Sequence, residues 1–137
     1  ESYSFLVDGF VKRFDKNPSI LPVIENISAK GRRVGLLTNA YPNMLKEIQK
    51  RKIIPNILWD VIIDSSVVKL AKPDPAIYEL SEKKAGVKGG QILFVENSQG
   101  HIEAAKKFGW QTFLYDPSSP QKSSLELEKA ISITWKV

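Results

Sequence analysis

What most constrains this chain is an alternation of four short apolar runs with segments of helical pattern. The runs are Arg33-Val34-Gly35-Leu36-Leu37-Thr38, Leu58-Trp59-Asp60-Val61-Ile62-Ile63, Gln91-Ile92-Leu93-Phe94-Val95 and Gln111-Thr112-Phe113-Leu114-Tyr115. The third is apolar on successive residues, as a strand covered on both faces is. Before the first run, Ile20, Val23, Ile24 and Ile27 recur at helical spacing. Asn17 is placed to cap that helix, Pro18 to open it and Gly31 to close it. Pro42 opens a second helix reaching roughly to Arg51, and Pro75 a third through Ala85. A fourth runs from Gln99 to Phe108 and stops at Gly109. The last starts at Ser123, with Glu126 completing a capping box, and reaches Ile131. Strands alternating with helices in this way predict an α/β fold: a Rossmann-like parallel sheet flanked by helices.

Composition narrows the class. The 137 residues suit one domain, and 42% apolar with 26% charged residues is ordinary for a globular chain. No apolar run approaches the roughly 20 residues that span a bilayer. The opening Glu1-Ser2-Tyr3-Ser4 lacks the basic and apolar regions of a signal peptide. The absence of cysteine excludes disulfides, thiolate metal sites and thiol chemistry, and fits a cytoplasmic location. His101 is the single histidine and reads as a surface residue of its helix. The net charge of +5 comes from scattered lysines and arginines. Its densest group, Lys50-Arg51-Lys52, falls at an expected helix C-terminus, where cations are favoured, and no aromatic residues interleave with it. No nucleic-acid or membrane partner is expected.

In open α/β sheets ligands sit beyond the C-terminal ends of the strands. The residues there are Thr38-Asn39-Ala40, Asp64-Ser65-Ser66, Glu96-Asn97-Ser98 and Asp116. One lysine, Lys72, stands in the loop Ala71-Lys72-Pro73-Asp74-Pro75, confined by two prolines. Asp74 reads as the cap of the helix that Pro75 opens.

Three segments in this order resemble the haloacid dehalogenase (HAD) superfamily, and within it the capped phosphatases and phosphoglucomutase-like enzymes. They are Gly35-Leu36-Leu37-Thr38-Asn39, then Ala71-Lys72-Pro73-Asp74-Pro75-Ala76-Ile77-Tyr78, then Ile92-Leu93-Phe94-Val95-Glu96-Asn97-Ser98 leading to Ile102-Glu103-Ala104-Ala105 and Gly109-Trp110. The resemblance covers about Pro18 to Pro117 and implies phosphate-monoester hydrolysis. It assigns Thr38, with Asn39 as helper, to binding of the phosphoryl group. It makes Lys72 the catalytic cation that neutralises phosphoryl and nucleophile. It gives Glu96 and Asn97 to a Mg²⁺ ion, a hard cation that favours oxygen ligands. Asn97 brings no charge where the family commonly has a second acid, which weakens that metal site. The implied substrate is a small phosphorylated metabolite.

The resemblance also implies a nucleophilic aspartate in an Asp-x-Asp motif ending a central strand. The nearest text is Ser4-Phe5-Leu6-Val7-Asp8-Gly9-Phe10, with Phe10 in place of the acid/base aspartate and Lys12 in place of the hydroxyl residue. Two readings stay open. The favoured one takes residues 1–16 as a remnant of a cap or linker helix joined to an incomplete HAD-like core at 17–137, the nucleophile strand lying upstream. It leaves two strands without a neighbour, and such edges recruit partners: the chain's own N-terminal segment, a second copy, or the missing N-terminal half. The other takes Phe5-Leu6-Val7-Asp8 as the first strand of a capless member. Either way the expectation is little or no turnover by this chain: in the first reading the Asp-x-Asp motif is absent, and in the second Phe10 moves no proton. The alternative function is a degenerate module that binds a phosphorylated ligand without hydrolysing it.

Overall fold

A computed structural model describes residues 4–7 and 17–134. Five strands form one parallel sheet: β1 (Ser4–Val7), β2 (Arg33–Thr38), β3 (Val61–Asp64), β4 (Ile92–Glu96) and β5 (Gln111–Leu114). Their order is β3-β2-β1-β4-β5. The helices are α1 (Leu21–Ala29), α2 (Met44–Lys50), α3 (Ser65–Val68), α4 (Pro75–Ala85), α5 (Gln99–Lys107) and α6 (Pro120–Thr134). Among the described residues no helix is long and apolar enough to cross a membrane.

Side chains alternate along each strand, so successive apolar residues serve two cores. Phe5, Val34, Leu36, Leu93 and Val95 pack against α1, α2 and α6 on one face. Leu6, Leu37, Ile63, Ile92 and Phe94 pack against α4 and α5 on the other. That second core holds an aromatic group in which Tyr78 stacks on Phe108 at 5.6 Å and meets Trp110 edge-on at 5.2 Å. It fixes α4 to α5, and with them the loop and the strand end that carry the site.

One expectation is corrected. Residues 4–7 are no part of a cap or linker helix. They form the central strand, with Ser4 opposite Arg33 and Ile92, and Val7 opposite Leu36 and Val95. The physical reason is the pair of open edges that β2 and β4 present to each other. A four-residue strand satisfies both ladders and buries Phe5 in one core and Leu6 in the other. The chain's own N-terminal segment therefore fills the gap. Residues 8–16 lie outside the described ones, and with them Asp8, Phe10 and Lys12.

Smaller differences have local causes. Asn17 does not cap α1, which begins at Leu21 with no side-chain cap. Its amide donates instead to the Tyr115 hydroxyl at 2.7 Å, in a network with Ser19 and Ser124 that ties the start of α1 to α6. Helix α2 is shorter than expected, because Asn43 before it is left-handed. The β3 run is apolar from Leu58 but pairs only from Val61, leaving Leu58 90% exposed. Ser123 makes no capping box: α6 starts earlier, at Pro120, and the Ser123 hydroxyl accepts from the Asp116 N–H.

Candidate active site at the strand ends

The chain runs outward from β1 to β2 and β3, then returns to the other side of β1 for β4. The crevice beyond the C-terminal ends of such strands is where this architecture holds ligands. Three of the expected residues converge there. Thr38 ends β2, Glu96 ends β4, and Lys72 reaches both strands from the loop before α4.

Lys72 is 4% exposed. Its ammonium donates to the Leu37 carbonyl at 3.0 Å and to Glu96 Oε1 at 2.6 Å. It also lies 5.4 Å from the centre of the Phe94 ring, a cation–π distance. The loop holding it is pinned from β2. Asn39 Oδ1 accepts from the Lys72 N–H at 2.8 Å, and Asn39 Nδ2 donates to the Lys72 carbonyl at 2.9 Å. Asn39, expected as a helper donor to phosphate, thus applies its amide to the lysine backbone. The Lys72–Pro73 peptide is cis. Asp74 then caps α4, accepting from the Ala76 N–H at 2.9 Å, as the sequence predicts.

Thr38 is 6% exposed, and its hydroxyl has no hydrogen-bond partner among the described residues. It stands opposite Asp64 in the ladder. The Asp64 carboxylate is occupied as the cap of α3, accepting from the Ser66 N–H at 2.9 Å and hydroxyl at 2.7 Å. Ser65 ties the Thr38 side to α3: its hydroxyl accepts from the Ala40 N–H at 2.8 Å.

Glu96 is 1% exposed. Oε1 accepts from Lys72 and, at 2.8 Å, from His101 Nδ1. Oε2 accepts from the N–H groups of Asn97 at 2.7 Å and Ser98 at 3.3 Å. Burial, the largest single influence, would raise its pKa. The Lys72 charge and hydrogen bond, the His101 contact and the Asn97 N–H together outweigh that and hold it below the ordinary carboxylate range. Burial, and then the Glu96 charge, push the Tyr78 phenol up. A carboxylate offers about four lone-pair positions, and Glu96 has a donor on each. Asn97 is exposed beside it. Among the described residues no group of three His, Cys, Asp or Glu residues is placed to hold a metal.

His101 is the participant that sequence reading set on the surface. A signal for it exists. Ser98 caps α5, and His101 is the third residue beyond it, a position whose side chain reaches back over the helix start. Tyr78 strengthens the placement by donating its hydroxyl to the His101 carbonyl at 3.0 Å.

With this geometry in view, the likeness to known proteins is informative. The chain is 28% identical over 101 residues to (S)-2-haloacid dehalogenase 4A of Burkholderia cepacia, covering 74% of this chain and 43% of that one. It is 29% identical over 112 residues to a phosphatase of Mycobacterium tuberculosis, covering 79% and 50%. The chain thus spans about half the length of these curated relatives. A solved HAD family enzyme of Bacteroides thetaiotaomicron, complexed with magnesium and inorganic phosphate, shares the fold at a TM-score of 0.64 and 22% identity, over 72% of this chain and 53% of that one. The family model for haloacid dehalogenase-like hydrolases matches residues 6–109, most of the chain and the C-terminal ends of β1 to β4. The chain belongs to the haloacid dehalogenase-like hydrolases.

Proposed function

We propose that this chain is the anion-handling core of a phosphate-monoester hydrolase and that by itself it turns over little or no substrate. The observation that carries the reading is the convergence of Thr38 and Lys72. Thr38, itself 6% exposed and with no side-chain hydrogen bond among the described residues, ends the strand whose Leu37 carbonyl holds a buried ammonium. In the proposed reaction the Thr38 hydroxyl donates to an oxygen of the phosphoryl group, and the Lys72 ammonium offsets its charge. The attacking carboxylate would follow β1, where the sequence offers Asp8. Phe10, two residues on, carries no proton to the leaving group. The ligand is a small phosphorylated metabolite.

The same residues support a second reading, a module that binds a phosphorylated ligand without hydrolysing it. Phe10 and the amide at Asn97 favour it. Both readings predict binding of inorganic phosphate, weakened by Thr38→Val. They differ from a working hydrolase in a chromogenic phosphate-ester assay, where the 137-residue chain is expected to match the blank. Robust turnover abolished by Asp8→Asn would overturn the expectation of inactivity. Halide release from an (S)-2-halo acid, run in parallel, separates the two activities named for the relatives.

A further inference from the structure

The two residues beside Thr38 hold the two ends of Lys72. On one side, the Leu37 carbonyl accepts from the ammonium at 3.0 Å. On the other, the Asn39 side chain takes both backbone groups: Oδ1 accepts from the Lys72 N–H at 2.8 Å, and Nδ2 donates to the Lys72 carbonyl at 2.9 Å. A primary amide has one acceptor oxygen and two N–H donors, so the pairing engages its oxygen and one of its hydrogens. The contact has the form of a hydrogen-bonded pair in an antiparallel ladder, in which each partner gives one N–H and takes one. It joins residues 33 positions apart, one just past β2 and one in the loop before α4. Asn39 is itself anchored on both sides. Thr38 before it is paired opposite Asp64. Ala40 after it is held by the Ser65 hydroxyl, which accepts from the Ala40 N–H at 2.8 Å and donates to the Ala40 carbonyl at 3.1 Å.

We infer that Asn39 is a positioning residue: it holds Lys72 at a fixed offset from Thr38 before any anion arrives, and it acts on the ligand through the lysine. The inference rests on the proposed anion site and adds how that site is preorganised. An anion shared between a hydroxyl on one segment and an ammonium on another must draw the two segments together, unless the fold has already done so. If the loop is in place for only part of the time, the apparent affinity falls by that fraction. Asn39 is exposed, so water competes for its amide, yet both ends of the amide bond Lys72. This role differs from that of a helper donor in a way that can be measured. A donor adds its own hydrogen bond to the ligand whatever stands at position 72. A positioning residue adds nothing once the ammonium it positions is gone.

Inorganic phosphate is titrated calorimetrically into the full chain, Asn39→Ala, Lys72→Met and the double variant. Asn39→Ala is expected to weaken binding about tenfold. In the Lys72→Met background the same change is expected to cost less than about twofold. An equal loss in both backgrounds would overturn the inference and make Asn39 a donor to the ligand. Two spectroscopic readouts decide even if Lys72→Met does not fold or does not bind. In the unaltered chain, a through-hydrogen-bond scalar coupling is expected between the Lys72 amide nitrogen and the Asn39 side-chain carbonyl carbon, and it is expected to persist at phosphate saturation. Its absence, or its loss when phosphate is added, would overturn the inference. In Asn39→Ala, the Lys72 amide is expected to show microsecond-to-millisecond relaxation dispersion that phosphate quenches. A loop as still as that of the unaltered chain would equally overturn it. If phosphate does not bind the unaltered chain, the proposed function fails, while the coupling in the phosphate-free chain still judges the hold of Asn39 on Lys72.

Discussion

Lys72 carries a charge where water does not reach it, so its worth to the fold depends on its partners. Removing one member of a buried ion pair leaves the other uncompensated, which costs far more than the pair contributes. Lys72→Met is expected to lower stability by about 3–5 kcal/mol, read from the urea midpoint. Adding Glu96→Gln is expected to recover part of that loss, since the buried Glu96 carboxylate no longer needs a cation. A double variant no more stable than Lys72→Met would show that the lysine acts by packing alone. Glu96 also sets a pH dependence. Its pKa in the folded chain lies below the ordinary 4.5, so the stabilisation it brings is fully present above that value. It is lost as pH falls through the lower folded value. The denaturation midpoint of the unaltered chain should therefore drop as acid is added below about pH 4.5, more steeply than that of Glu96→Gln.

The elements show where local chemistry decides structure and where it does not. Gly35 sits in β2 between β1 and β3, and a Cβ there would come within 2.7 Å of Leu6 Cδ2 and 3.0 Å of the Val61 carbonyl oxygen. The leucine tip can turn aside but the backbone oxygen cannot. Gly35→Ala is expected to cost about 1–3 kcal/mol by thermal melting. A neutral result would mean that β3 slides freely along β2. The bounds of β2 were readable from Arg33 to Thr38, and those of α4 from Pro75 to Ala85, because each has its own stop signals. For α4 these are the cap Asp74 and the left-handed Gly86. β1 was not readable in this way. Tyr3, Phe5, Leu6, Val7, Phe10 and Val11 satisfy a helical spacing as well as a short strand, and only the gap between two distant strands chooses. The site divides similarly. Thr38, Lys72 and Glu96 were readable because each follows or adjoins a strand end. The role of His101 was not, since it depends on α5 starting at one residue rather than its neighbour. The occupancy of Glu96 depends on three segments meeting, which no local pattern records.

At the scale of the molecule, the sheet is two pairs of strands, β3 with β2 and β4 with β5, joined through β1. The joining strand is four residues long and comes from the first residues of the chain. Its partners run from Arg33 to Leu36 on one side and from Ile92 to Val95 on the other. The Lys72 bridge from Leu37 to Glu96 and the two cores also cross the middle of the sheet, but among the described residues the backbone ladders there run through β1. β1 precedes both of its neighbours in the chain, so it cannot settle between them until β4 has been made. Once seated, it governs opening as well. If β1 lifts away, the amides of β2 and β4 that face it lose their partners in the same event, and the two halves behave as one exchange unit. Native-state hydrogen exchange is expected to show Val34–Leu36 and Leu93–Val95 losing protection together, with the same dependence on urea. Separate dependences would mean that each half stands without its shared strand. Short as it is, Ser4–Val7 completes the ladder between the two halves, and a change at Phe5 or Leu6 would be felt in the cores on both faces of the sheet.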